Sequence, residues 1–219
     1  MNDITDDGRL TELAGRIGGI AVPADISDPA AGTAMAEIVA SQFGPVQVLV
    51  ANAAAMAMSP FLESKPDEWW HQIDVNLSGH FRVIQAVIPG MRSQGQGRII
   101  IISSGWGVIG QPNATAYAAS KAGLIALTKG LGRELGPQGI LTNAIAPSFI
   151  DTEQLRVDAA DAGITLDEMR RRYRELIPLR QLASPAEIAA AVAFLAGPGS
   201  SAVIGQVLQP NGGVTRTRA

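Results

Sequence analysis

The chain has 219 residues, a net charge of −3 with no basic run, 47% apolar and 5% aromatic residues, and no cysteine. Nucleic-acid binding therefore has no electrostatic support, and disulfides and thiolate metal sites are ruled out. His71 and His80, nine residues apart, make no metal motif, so no metal is expected. No apolar run approaches the ~20 residues that span a bilayer. Met1-Asn2-Asp3-Ile4 carries neither the basic nor the apolar stretch of a signal peptide. The expected protein has no membrane partner and resides in the cytoplasm.

In chain order, Leu10 to Ile17 reads as a short helix. Gly15, Gly18 and Gly19 mark its end and a turn. Ile20-Ala21-Val22 is a first apolar run of strand type, and Ala30 to Phe43 is an amphipathic helix. Val46 to Ala51 is a second strand. Pro66 to Met91 is a long helical stretch, possible as two helices, opened by a proline. Arg98 to Ile102 is a strand, Thr115 to Leu135 an Ala/Leu/Gly-rich helix, and Leu141 to Ala146 a further strand. The segment Thr152 to Pro178 is polar, with a helix-prone stretch over Leu166 to Leu176. It reads as an insertion of the kind that acts as a substrate lid. Ser184-Pro185-Ala186-Glu187 has capping-box spacing and opens a helix over Pro185 to Ala196. Val203 to Leu208 is the last strand. Strand–helix alternation gives an α/β fold with a doubly wound parallel sheet, in one domain over residues 1–219.

Tyr117 and Lys121 stand four residues apart, one helical turn, on one face of their helix. An ammonium beside a phenol favours the phenolate and is expected to lower the Tyr117 pKa. Such a phenol can exchange a proton with an alcohol or ketone. Ligands of open α/β sheets bind beyond the carboxyl ends of the strands. Asp25, Asn52, Ser103, Ser104, Ser148 and Thr152 all fall at such ends. Each is also a residue type that forms turns and caps.

With these motifs the chain resembles the short-chain dehydrogenase/reductase family over nearly all of its length. Tyr117-x-x-x-Lys121 matches the active-site pair. Ser104, 13 residues upstream of Tyr117, matches the catalytic serine, and Asn76 in Asp74-Val75-Asn76-Leu77 the fourth catalytic residue. Ala51-Asn52-Ala53-Ala54 is similar to the strand end beside the cofactor. Ala24-Asp25-Ile26-Ser27-Asp28 is similar to the segment that bonds the adenine. Asn143 to Ser148, with Ile150 and Thr152, resembles the stretch contacting the nicotinamide amide. Pro178-Leu179-Arg180, Pro185 to Ala189 and Asn211-Gly212-Gly213 match the C-terminal blocks.

The resemblance implies a Rossmann-like oxidoreductase that interconverts a small secondary alcohol and a ketone with NAD(H), NADP being disfavoured. Tyr117 would exchange the proton, and Lys121 would lower its pKa and bind the nicotinamide ribose. Ser104 would polarise the carbonyl, and Asn76 would hold a water that extends the proton path. It also implies a homodimer or homotetramer built through the helices of Pro66 to Met91 and Thr115 to Leu135. Trp106 and Phe149, with Met56 and Met58, are candidate pocket residues and equally ordinary apolar filler.

The family's glycine-rich turn between a first strand and first helix has no counterpart here. Asp3, 22 positions before Asp25, falls where the acidic residue that grips the adenosine ribose belongs. Met1 to Ile4 then looks like the tail of a second strand, with about 30 residues absent before it. A chain truncated in this way is expected to bind dinucleotide weakly or not at all. Alternatives follow. One is a cofactor-independent lyase, isomerase or dehalogenase on the same scaffold, although halohydrin dehalogenases carry Arg where this chain has Lys121. Another is a non-catalytic relative. Ala54 stands where the family has glycine, and a positive φ there would crowd the cofactor.

Overall fold

A computed structural model describes residues 1–215; the last four residues of the expected 1–219 domain lie outside the described residues. In chain order the elements are α1 (Arg9–Arg16), α2 (Ala31–Phe43), β1 (Val48–Ala51), α3 (Pro66–Ile73) and a π-helical turn over Asp74–Gly79. There follow α4 (His80–Gln94), β2 (Gly97–Ile102), α5 (Trp106–Ile109), α6 (Thr115–Leu135) and β3 (Ile140–Ile145). The chain continues with α7 (Gln154–Asp161), α8 (Leu166–Leu176), α9 (Pro185–Ala196) and β4 (Val207–Leu208). The four strands form one parallel sheet in the order β1-β2-β3-β4.

Helices cover both faces of the sheet, as the alternation of strand and helix predicts. Ile99 and Ile101 of β2 point to the α4 and α6 side and pack with Ile84, Val87, Met91, Leu124 and Leu135. Ile100 and Ile145 point the other way, against Leu195 of α9 with Ile188 and Val192 beside it. This two-sided burial explains why β2 reads as an unbroken Ile run. Each fully buried Ile contributes roughly 1.5–3 kcal/mol relative to exposure.

The helix over Thr115–Leu135 begins and ends where the sequence places it. So does α9, whose Ser184 and Glu187 form the predicted capping box. The glycines after α1 form its terminus: Gly18 takes φ +68 and Gly19 N donates to Ala14 O at 2.8 Å. Among the described residues no helix is long and apolar enough to cross a membrane.

Three elements differ from expectation. Ile20 to Val22 is extended but does not join the sheet. It bonds instead to the first residues, with Val22 N donating to Met1 O at 2.8 Å and Ala24 N to Asp3 O at 3.0 Å. A cleft separates this two-segment ribbon from β1, so an apolar run of strand composition finds no ladder there. The last strand is only Val207–Leu208 because Gly205 turns the chain at φ +66. Asn143 spans that turn: its Nδ2 donates to Val203 O at 2.8 Å and its Oδ1 accepts from Gln206 N at 3.0 Å. The segment 152–178 holds a second helix, α7, that its polar sequence hides. α7 and α8 share a small core of Leu155, Ala159, Met169 and Ile177. Arg170 ties this pair to the sheet end through both carboxylate oxygens of Asp151, each at 3.1 Å.

Candidate active site

Ser103 and Ser104 follow the end of β2, and the N-terminal half of α6 lies over that end. Ser103 is buried and its Oγ donates to Lys121 O at 2.8 Å, fixing α6 to the strand. α5 sits against α6 because Gly107 has no side chain; a Cβ there would stand 2.7 Å from the Lys121 carbonyl carbon. Ser104 Oγ accepts from Trp106 N at 3.1 Å, which turns the chain into α5. Trp106 then meets the Tyr117 ring edge-on, centroids 5.9 Å apart.

Lys121 is 2% exposed and its Nζ donates to Ile102 O at 2.8 Å. The same Nζ lies 5.5 Å from the Tyr117 ring centroid, within reach of a cation–π attraction. Burial lowers the Lys121 pKa to about 8. The Tyr117 phenol is shifted upward: burial raises its pKa, and a hydrogen bond with the Ser104 hydroxyl only partly offsets this. The expected lowering of the Tyr117 pKa is thus reversed, because desolvation of the phenolate outweighs the Ser104 hydrogen bond.

Asn76 lies in the π turn and is fully buried. Its Oδ1 accepts from Ala55 N at 2.7 Å, and its Nδ2 donates to Ala55 O at 2.8 Å and to Ser120 Oγ at 3.2 Å. Ser120 Oγ in turn donates to Tyr117 O at 2.7 Å. One side chain thus joins the loop after β1, the π turn and the helix that carries the phenol. Its own carbonyl accepts from His80 Nδ1 at 2.6 Å, the tautomer being set by that acceptor. Burial, with the Lys121 charge second, lowers the His80 pKa to about 4, so the ring is neutral near pH 7. Both Nδ2 hydrogens are taken up by protein, and Oδ1 keeps one lone pair beyond its bond from Ala55 N. Sequence reasoning missed Ser120, Ala55 and His80. Only the i, i+4 spacing of Asn76 and His80 gave any signal.

The residues assigned to the cofactor divide into two groups. Asp3, Asp25, Ile26, Asn52 and Ala53 line one cleft of about 800 Å³, together with Ala55, His71 and Val75. Asp25 Oδ1 accepts from Ser27 N at 2.9 Å and Ser27 Oγ at 2.8 Å, and these bonds hold its carboxyl below the usual range. Tyr117, Lys121 and Ser104 do not line this cleft, but join it through Ala55 and Asn76. Ile150 and Thr152 also lie outside it: Ile150 bridges to Ala183, and Thr152 O accepts from Leu155 N. Phe149 stacks on Tyr173 at 4.4 Å within the α7–α8 core, which favours its reading as filler. Ala54 does not take a positive φ, so the methyl there causes no backbone strain.

A nicotinamide dinucleotide meets a mixed fit. Lys121 and Tyr117 offer donors at one end, and Asp25 and Asn52 offer polar groups at the other. The cleft between has no counterpart of the glycine-rich turn whose backbone N–H groups would face a diphosphate.

A family model described as enoyl-(acyl carrier protein) reductase matches residues 1–215. The chain is 40% identical over 194 residues to the 3-oxoacyl-(acyl-carrier-protein) reductase of Staphylococcus aureus, covering 89% of this chain and 76% of that protein. It is 35% identical over 190 residues to the enzyme of that name from Vibrio cholerae, covering 87% and 75%. Among solved structures, an NAD+-bound xylitol dehydrogenase aligns with TM-score 0.89 at 28% identity, over 97% of this chain and 87% of that one. A gluconate 5-dehydrogenase from Burkholderia cenocepacia, in complex with NADP and tartrate, aligns with TM-score 0.89 at 30% identity, over 100% and 85%. By its sheet, its Tyr117–Lys121 pair and this similarity, the chain belongs to the short-chain dehydrogenase/reductase family of oxidoreductases.

Proposed function

We infer that the chain interconverts a small secondary alcohol and a ketone by hydride transfer with a nicotinamide dinucleotide. The observation that carries this reading is one juxtaposition: the Tyr117 phenol beside the buried Lys121 cation and the Ser104 hydroxyl. The dinucleotide, when bound, supplies the hydride, a chemistry no side chain offers. Tyr117 supplies the proton. Its raised pKa keeps the phenol protonated at neutral pH, which suits it to donate to a carbonyl oxygen as charge develops there. Ser104 Oγ orients and polarises that oxygen. Lys121 stabilises the phenolate left behind. Asn76 acts as a positioning residue through Ala55 and Ser120. Trp106 walls the reacting centre, and residues 152–178 close over it as a lid.

Asp3 and Asp25 both line the cleft, and their carboxylates disfavour the extra phosphate of NADP. NAD(H) is therefore the proposed cofactor, although similar structures hold either NAD+ or NADP. The absence of a glycine-rich phosphate turn predicts weak binding. A calorimetric titration should give a Kd weaker than about 0.1 mM for NADH and weaker still for NADPH; micromolar binding of either would overturn this. The same missing phosphate turn favours the second reading, a cofactor-independent enzyme on this scaffold.

We also propose a homodimer or homotetramer. Trp70 on α3 is 63% exposed and Phe81 on α4 is 49% exposed, large apolar groups that a subunit contact would cover. Light scattering should return the mass of two or four chains; a single-chain mass at all concentrations would end the proposal.

A further inference from the structure

We propose that Gln72 is a positioning residue: beside Asn76 it fixes the loop after β1 against α3, and through that loop it holds the N-terminal end of α6, which carries Tyr117. The proposal deepens the reading of the Tyr117 centre as the reacting one and rests on it.

Gln72 is 5% exposed and stands four residues before Asn76, on the same helix face. An apolar side chain would fill that place without the desolvation an amide costs. The amide is used on the loop. Ala57 N donates to Gln72 Oε1 at 3.1 Å, and Gln72 Nε2 donates to Ala57 O at 3.3 Å. Asn76 bonds both backbone groups of Ala55 in the same way. The spacings agree. Two residues of near-extended chain advance about 6.6 Å, and four residues of helix about 6.0 Å. Two amides one turn apart therefore meet alternate residues of the loop, which has neither helix nor strand of its own over 52–60. Ala57 is exposed, so water would satisfy its backbone groups equally well. What the Gln72 amide adds is a fixed place.

From Ala57 the loop runs to the start of α6. Ser59 N donates to Asn113 O at 2.8 Å, and Asn113 takes φ +64 just before that helix. Trp69, three residues before Gln72 on α3, donates through Nε1 to Thr115 Oγ1 at 3.2 Å. Thr115 opens α6 two residues ahead of Tyr117. α3, the loop and the start of α6 thus close a ring of hydrogen bonds. The ring surrounds a pocket of about 30 Å³ lined by Ala57, Trp69, Gln72, Asn113 and Thr115, far below the ~300 Å³ of a ligand site. Gln72 therefore meets no substrate and acts through Tyr117. Loss of its two bonds frees the loop and lets the start of α6 shift, and a misplacement of about 1 Å at a reacting group costs up to about a hundredfold in rate.

The test begins with the wild-type chain. Amide hydrogen exchange read by NMR should show Ala57 slowed by about tenfold or more against an unstructured peptide, although the residue is exposed. Labelling tyrosine with ¹³C at Cζ then gives two signals, Tyr117 and Tyr173. Burial holds the Tyr117 phenol above its ordinary value of 10.0. In Gln72→Met, which keeps the volume and loses the bonds, its titration midpoint should move down toward 10.0 while the Tyr173 signal is unchanged. kcat for ketone reduction should fall about ten- to a hundredfold with KM little changed. Gln72→Asn, whose amide stops one methylene short, is the second variant and should give the same shift if Gln72→Met fails to fold. An Ala57 amide that exchanges at the unstructured rate overturns the proposal. So does a Tyr117 midpoint unmoved in the folded variant, both tyrosine signals moving together, or an unchanged kcat. A wild-type chain without hydride transfer would refute the reading of the site, and the Tyr117 signal would still decide whether Gln72 places the phenol.

Discussion

Tyr117→Phe is expected to lower kcat/KM for ketone reduction by about a thousandfold, within the 10²–10⁴ range of general acid–base catalysis. The ring remains, and with it the edge-on contact to Trp106 at 5.9 Å and the Lys121 Nζ at 5.5 Å from the ring centroid. Only the oxygen is lost, so the melting temperature should barely move. Steady-state kinetics at millimolar cofactor read the loss. A second signature is pH. The phenol is pushed up by burial, so the donor form persists through neutral pH. Lys121 loses its charge near pH 8, where burial places its pKa. The wild-type rate should therefore be flat below pH 8 and fall above it as the cation disappears. A Tyr117→Phe chain with wild-type activity would remove the phenol from the reaction.

Lys121→Met is expected to abolish activity and yet to stabilise the protein at neutral pH. The Lys121 pKa falls from 10.5 to about 8 on folding, because burial disfavours the ammonium. Between those values the unfolded chain holds a proton that the folded protein has lost. Stability therefore rises with pH across the window from about 8 to 10.5. At pH 7 both states are protonated, and the folded state carries the full unfavourable shift, about 3 kcal/mol. Methionine fills nearly the same volume without the charge. It also leaves the Ile102 carbonyl without the donor now at 2.8 Å, a loss of about 1–3 kcal/mol. Desolvation wins by a small margin at pH 7, for a net gain of about 1 kcal/mol and a Tm rise of about 2–4 °C. Near pH 10.5 the advantage should vanish or reverse. Thermal unfolding at pH 7 and pH 10 checks both limbs; destabilisation at pH 7 would show that the ammonium is better solvated than its burial implies.

The parts of this molecule written in local chemistry are legible in its sequence. α6 and α9 run over the predicted residues, the latter because Ser184 and Glu187 cap it and Pro185 starts it. α8 matches because Thr165 accepts from Glu168 N and its arginines and glutamates pair at helical spacing. Strands depend on neighbours that composition does not reveal. Ile20 to Val22 has strand composition but pairs outside the sheet. Val203 to Leu208 is cut short by the glycine turn at 205. α7 was hidden because only Leu155 and Ala159 face its core.

The site follows the same division. The Tyr117–Lys121 spacing needs only one helical turn, and it can be read directly. The direction of the Tyr117 shift cannot, because it is set by burial among residues from other elements. The hydrogen bonds of Asn76 reach Ala55, 21 residues away, and Ser120, 44 residues away. Motif matching identifies such a residue without revealing what it holds. Phe149 and Thr152 show the converse, since adjacency to a strand end did not bring either into the large cleft.

Deuteride transfer gives the most direct measurement. The chain is incubated with a ketone and millimolar NADH carrying deuterium at both C4 positions, and the alcohol is analysed by mass spectrometry. Deuterium should appear on the carbinol carbon with the wild-type chain and be nearly absent with Tyr117→Phe over the same interval. Equal deuterium with both chains, or alcohol formed without deuterium, would contradict a hydride transfer completed by the Tyr117 proton.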